Sequence, residues 1–530
     1  MRKFGAWTVV LLLTHGAVAA EPESTRPERR AVDREALALA ARIDARLAAR
    51  WAEAKVRPAA IADDGEFLRR ASLDLIGKIP TAAEGRDFLD DPAAGKRAAL
   101  VDRLLDSPAH AARSALLWRQ LLIPETDDGA LVAPGGLEAW LRKKVAEEAG
   151  YDRIVREILA VKLGGGDNDV MAAASTEPSP AAFYAARAGK PESLAGDSAR
   201  FFLGIRLECA QCHNHPFAKW KREEFWGFAA FFAGVAPRDA DGAVMRMSRE
   251  ESDRRELTIP GTSKVVKAAH LDGSSPAWRP RAGTRQVLAE WVTSPGNRYF
   301  ARAAVNRTWA RLFGRGLIDP VDDLDAADAD PALVALLDEI AGAFRDHGYD
   351  MKYLTRALMA TRAYNLSSAA AADDAGPASS SPPPMLFARM PVRGMSPAQF
   401  ADSLQQATGT DLGDARGSFL ALFADKDAPP TESQTTILQA LTMMNGAFID
   451  RATRPESGDV IGAIVEAPYL DTAGRVEQVF LAALTRRPKP EEMALAVRHI
   501  ERQSSEADRA RALSDIFWAL LNGPEFRTNH

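Results

Sequence analysis

Several things are scarce in this chain, and each scarcity excludes a class of protein. Among 530 residues there are two cysteines, Cys209 and Cys212, and eight histidines. Any thiol chemistry is therefore confined to one tetrapeptide. No stretch approaches the ~18 consecutive apolar residues of a membrane-spanning helix, so the mature chain is expected to have no span. Bases do not dominate: 67 Lys and Arg stand against 72 Asp and Glu, the net charge is −5, and no basic block stands out. Nucleic-acid binding is not expected of such a chain. Gly-x-Ser-x-Gly and His-Glu-x-x-His are both missing, which removes two common hydrolase signatures. Gly164-Gly165-Gly166-Asp167 is not a phosphate cradle, because no strand precedes it and no Gly-Lys-Ser/Thr follows.

What is present reads as globular, with 46% hydrophobic and 26% charged residues. Arg2 and Lys3 precede an apolar run from Ala6 to Leu13, and Val18-Ala19-Ala20 offers small residues at the cleavage positions. This is the layout of a secretory signal peptide. Its removal takes away two positive charges and no acid. No cysteine follows the apolar run, so no lipid anchor is expected there. The mature protein is expected to be periplasmic or extracellular, where a disulfide can also persist.

The rest is helical in pattern. Leu37, Leu39, Ile43, Leu47 and Trp51 recur at roughly helical spacing over Asp33–Ala54. Phe67, Leu68, Leu73, Leu75 and Ile76 supply one apolar face of the next helix. Thr81 and Glu84 form a capping box. Asp197–Leu207 and Arg222–Gly234 are expected helices on either side of the cysteines. Leu333, Leu336, Leu337, Ile340 and Phe344 make a clean stripe, and Ser396-Pro397 opens another helix. Glu256–Ile259 and Val265-Val266 flank Pro260-Gly261 as a small β-hairpin, the one convincing strand region.

The chemistry concentrates at Cys209-Ala210-Gln211-Cys212-His213-Asn214-His215. Cys-x-x-Cys-His is the attachment signature of c-type haem. Two thiols add to two vinyl groups, and the histidine takes an axial position on iron. Seven aromatics between Phe217 and Phe232 are either a core helix or an apolar wall for a macrocycle. Three other readings stay open, one of them free thiols beside a satisfied core histidine. Cys209, Cys212, His213 and His215 offer zinc two sulfurs and two nitrogens, and Cys209 and Cys212 can form a disulfide. His215 is close to His213 and poorly placed to reach the opposite haem face, so the sixth ligand is unassigned among His110, His270, His347, His499 and the methionines. The aspartates at 319, 322, 323, 325, 328 and 330 are read as a solvated, helix-capping loop rather than a calcium loop. Asn297, Arg302, Asn306 and Arg307 are candidates for a polar groove, or else helix-end and ion-pair residues.

The chain also resembles the planctomycete cytochrome-like family, in which domain of unknown function 1549 is followed by domain of unknown function 1553. The resemblance rests on Phe67-Leu68-Arg69-Arg70 through Leu73-Asp74-Leu75 to Pro80-Thr81, on Phe202 to His215, and on Ala229 to Phe232. In the second half it rests on Leu288 to Asn297, Phe300 to Trp309, Phe313 to Leu317 and Pro320 to Asp323. With the later pieces Met444-Asn445 and Ala519 to Asn522 before Glu525-Phe526, the resemblance spans roughly residues 35–527.

The expected fold is mainly α, a multi-helical two-domain protein with a small β-hairpin insert between the helical domains. The division is a signal peptide (1–20), a mobile leader (21–34), a helical cytochrome-like domain (35–236), a β-containing connector (237–282) and a helical C-terminal domain (283–527) with a low-complexity loop at 367–384. The expected function is secreted c-type haem binding, with haem c held by Cys209, Cys212 and His213 and a redox or enzyme partner in the periplasm. The alternative is a non-haem extracytoplasmic protein, holding zinc or no cofactor, that serves as scaffold or accessory in polysaccharide or sulfated-substrate metabolism.

Overall fold

Many helices begin where a side-chain oxygen takes up the first free backbone amides. Asp63, Thr81, Ser107, Asn297, Asp330, Asp350, Ser396 and Thr436 all do so. Thr81 with Glu84 and Ser396 with Gln399 close full capping boxes. Pro108, Pro331 and Pro397 fall in first turns, where a missing N–H breaks no bond. The computed structural model describes residues 26–123, 135–163, 178–214, 219–235, 250–326, 328–369, 382–424 and 436–530. It is mainly α, with two small antiparallel sheets among the described residues. The expected signal peptide, the glycine loop at 164–167 and most of the 367–384 segment lie outside those residues. No described helix is long and apolar enough to cross a membrane.

Burial forms two apolar cores. The larger gathers residues between Ala36 and Met390, including helices Pro108–Leu122, Tyr151–Leu159, Arg298–Phe313 and Pro331–Asp346. The smaller is built from Phe400, Leu404, Ile461, Phe480 and Phe517, joined by Leu73 and Ile79 from early in the chain. Stretches on both sides of the 237–282 connector thus share the larger core.

Helix Asp64–Leu75 stands between the two cores and is buried continuously from Phe67 to Leu75. Phe67, Leu68, Ala71 and Leu75 join the larger core and Leu73 the smaller. The sequence pattern predicts a single apolar face here. The helix instead lacks a solvent face along this stretch, so its charged residues must find partners inside the protein. Arg69 donates to the carbonyls of Phe526 at 2.7 Å and Ala483 at 3.1 Å. Arg70 donates to the Tyr364 carbonyl and to Glu66, each at 2.6 Å. Asp74 accepts from Arg393 at 3.0 Å, from the Tyr364 hydroxyl at 2.9 Å and from the Asn529 amide at 2.8 Å. Burial lowers the Arg69 guanidinium to about 10 and pushes the Tyr364 phenol well above its ordinary range. At the helix's last turn, His110 Nδ1–H donates to the Leu75 carbonyl at 3.0 Å. Burial lowers the His110 imidazole to about 4, which keeps it neutral at pH 7.

The hairpin forms as expected, with Glu256 opposite Lys267 and Thr258 opposite Val265. Elsewhere the structure corrects the sequence reading. Helix Arg26–Glu53 starts before Asp33, so the second half of the expected mobile leader is helical; Pro27 fits its first turn. The expected helix Asp197–Leu207 is instead Pro191–Ser198 followed by a π turn, Ala199–Leu203, which Gly204 ends at φ 63°. Arg222–Gly234 is α only to Ala229 and continues as a 3₁₀ turn, Ala230–Val235. A second sheet pairs Arg393–Gly394 with Thr528–Asn529, a contact too short and too distant in sequence to leave a pattern.

Two outcomes follow from this centre. Asp74→Ala leaves the buried Arg393 guanidinium without its counter-charge, and urea unfolding should show a loss of about 3–5 kcal/mol. A loss below about 1 kcal/mol, the scale of an exposed ion pair, would contradict the assignment. For His110, the folded value lies below the ordinary 6.5, so between the two the unfolded chain holds the extra proton. Its contribution is complete above pH 6.5 and falls by up to about 3 kcal/mol as the pH approaches 4. Urea titrations at pH 7 and pH 4.5 should show a flatter pH dependence for His110→Gln than for the parent; equal slopes would count against the buried neutral histidine.

Candidate functional site

Gly204 opens the approach to the cysteines. Its carbonyl accepts from Leu324 N–H at 2.8 Å, and a Cβ there would meet Leu324 Cγ at 2.8 Å. With its positive φ, the position requires glycine. Ile205, Leu207 and Ala210 then insert into the larger core, each at most 1% exposed. Arg206, Glu208 and Cys209 face outward between them. A 3₁₀ turn, Glu208–Gln211, carries the chain onward. Cys209 lies within this turn and Cys212 is the residue that closes it. Both are free thiols and both are exposed.

The exit from the turn is clamped by helix Arg222–Ala229. The Trp226 indole N–H donates to the Gln211 carbonyl at 3.0 Å, and Arg222 Nε donates to the same oxygen at 3.3 Å. Arg222 also reaches the Pro260 carbonyl at 2.7 Å, tying the turn to the hairpin. The Arg222 backbone N–H donates to Asn214 Oδ1 at 3.0 Å. His213 is exposed, and its Nδ1–H donates to the Asn214 carbonyl at 2.8 Å. A neutral ring so bonded carries its lone pair on Nε2, the state an imidazole needs to ligate a metal. His215 lies outside the described residues.

Cys209, Cys212 and His213 are close together but do not converge. Among the described residues no group of three His, Cys, Asp or Glu is placed to hold a metal ion. Tetrahedral zinc requires its donors to meet at roughly 2.0–2.3 Å from one point. Haem attachment requires a spread arrangement, with two sulfurs reaching separate vinyl carbons and the histidine alone reaching iron.

The aromatic segment is core rather than an open apolar wall. Phe225, Phe228, Phe231 and Phe232 are at most 1% exposed, and Phe228 packs edge-on against Phe231 and Trp291. The other histidines raised as axial ligands have structural partners of their own. His270 is stacked between Phe231 and Trp291 and bonds Ser274. His347 bonds the Ala343 carbonyl and Glu35, and His499 lies 3.9 Å from Asp515.

The acidic stretch serves caps and ion pairs. Asp330 caps helix Pro331–Asp346, Asp322 pairs with Arg206 at 2.6 Å, and Asp325 accepts from the Tyr299 hydroxyl. In the candidate polar groove, Asn297 is a helix cap and Arg302 pairs with Asp338. The Asn306 side chain is buried, bonding the Ile318 carbonyl and accepting from Ile318 N–H. Arg307 lines two cavities. Sequence reasoning missed Arg222 and Trp226, because their target is a backbone carbonyl and leaves no side-chain signature.

The exposure of the two thiols has a direct readout. On reduced, haem-free protein, Ellman's reagent should titrate both cysteines without denaturant, at rates close to those in urea. Protection of either thiol until unfolding would contradict the exposed turn.

Two family models match the chain. Protein of unknown function (DUF1549), PSCyt2, matches residues 42–236, and Protein of unknown function (DUF1553), PSD1, matches residues 284–428. No curated protein and no solved structure matches it. The first match contains the buried helix and the cysteine turn, and the second contains helix Arg298–Phe313 and Arg393. The Asp74–Arg393 ion pair therefore joins the two matched regions. On these two matches, in this order, the chain belongs to the family that joins a DUF1549 domain to a following DUF1553 domain.

Proposed function

We propose that this chain is an exported c-type haem protein with an electron-transfer or redox role. The observation that carries the reading is the cysteine turn itself: two exposed, unpaired thiols three residues apart at a tight turn, followed by a histidine bonded through Nδ1, which leaves Nε2 as its ligating nitrogen. Cys209 and Cys212 are the residues that would hold haem through thioether bonds, and His213 would ligate its iron. Bound haem would supply a one-electron couple at iron.

The chain's own contribution is position. Ile205, Leu207 and Ala210 fix the turn from inside, and Trp226 and Arg222 fix it from outside. The Asn214 carbonyl orients the imidazole and makes it a stronger donor. The basic start, apolar run and small-residue exit of the first 20 residues support export to the periplasm or beyond. The partner is then an extracytoplasmic redox protein or enzyme. The competing zinc reading needs His215 and a convergence that the other three residues lack.

Expression with export in a host that matures c-type cytochromes tests the proposal. The purified protein should show a Soret band that survives acid–acetone extraction and a c-type pyridine haemochrome. Cys209→Ser with Cys212→Ser should abolish the covalent pigment, and His213→Ala should alter the Soret position. A colourless parent in that host would contradict the reading.

A further inference from the structure

Two adjoining cavities lie where the two matched family regions meet. One, of about 360 Å³, is lined by Leu117, Trp118, Tyr151, Ala304, Arg307 and Arg311, with other apolar side chains. The second, of about 440 Å³, shares Leu121, Arg307 and Val321 with it and adds Arg200, Arg206, Asp319 and Asp322. Helix Pro108–Leu122 and Tyr151 belong to the first family match, helix Arg298–Phe313 to the second.

The smaller cavity holds polar groups that the fold leaves unused. Tyr151 is 1% exposed, with its ring stacked on Phe300 at 4.8 Å, yet its hydroxyl has no hydrogen-bond partner among the described residues. A buried, unpaired hydroxyl is destabilising, so structure alone does not account for it. Burial raises this phenol to about 12, so it is a neutral donor. The buried Arg311 Nε likewise lacks a partner. Arg307 donates to two neutral carbonyls, Phe201 at 2.7 Å and Arg200 at 3.3 Å. No carboxylate pairs with Arg307 or Arg311 among the described residues, in contrast to Arg206 on Asp322 and Arg302 on Asp338.

We infer that this cavity is a binding site for a small organic anion, a carboxylate carried on a flat apolar body. The carboxylate takes the two arginines and the Tyr151 hydroxyl, which match its acceptor oxygens. The apolar body takes the Trp118, Leu117 and Ala304 side. A volume of about 360 Å³ falls in the ordinary range of small-molecule sites, roughly 300–1,000 Å³. The inference is independent of the haem reading.

The test uses the mature full-length protein and 1-naphthoate as probe, followed by calorimetry. Saturable binding is expected, with 1-naphthalenemethanol at least about tenfold weaker because it lacks the charge. Arg307→Met should weaken naphthoate by about tenfold or more. That variant also loses two backbone contacts, so Tyr151→Phe provides the decisive comparison. It removes only an unpartnered hydroxyl, so the melting temperature should hold or rise, while naphthoate binding falls by about threefold or more. Absence of saturable binding, equal binding of the alcohol, or undiminished binding by Tyr151→Phe would each overturn the site.

Discussion

A carboxylate buried at Asp74 is tolerable only because Arg393, Tyr364 and Asn529 reach it from three distant parts of the chain. Most of the fold is arranged around meeting that demand. Helix Asp64–Leu75 carries apolar residues into both cores, so Arg69, Arg70 and Asp74 have no route to water. Arg69 and Arg70 therefore take backbone carbonyls from Ala483, Phe526 and Tyr364. Each such bond pulls a late segment onto an early one. The short sheet between Arg393–Gly394 and Thr528–Asn529 delivers two of the Asp74 partners side by side. A buried pair of this kind is weak evidence for added stability, since desolvation offsets much of the attraction. Its clearer role is registry: a shifted arrangement would leave charges unpaired inside.

The cysteine turn has the opposite character. It sits at the rim of the larger core, and its reactive atoms face outward. Its rigidity is borrowed from behind, from Ile205, Leu207 and Ala210, and from the Trp226 and Arg222 bonds to one carbonyl. That combination suits covalent attachment, which needs accessible thiols in a fixed relation more than it needs a preformed pocket. The described aromatic residues that follow, Phe225, Phe228, Phe231 and Phe232, are sealed in the core and support the turn from there.

The sequence made part of this legible. Caps announced helix starts at Thr81 and Ser396, and the alternation around Pro260-Gly261 announced the hairpin, because these signals are local. The Phe67 to Thr81 block was visible as a family motif, but its meaning was not. Arg69, Arg70 and Asp74 look like the wet face of an amphipathic helix until their partners, hundreds of residues away, are placed. Cys209, Cys212 and His213 could be found from spacing alone. Their failure to converge on one point could not, because it depends on a 3₁₀ turn that Gly204 and a π turn impose. Tyr151 gave no signal at all: an unsatisfied hydroxyl exists only in three dimensions.

The central claim is that Cys209 and Cys212 carry haem through covalent bonds. Its most direct measurement is the intact mass, under denaturing conditions, of the protein exported by a host with c-type maturation machinery. The account predicts the mass of the processed chain plus one haem, with the added mass mapping to the peptide that holds both cysteines. The bare chain mass, with two thiols still open to alkylation, would contradict it.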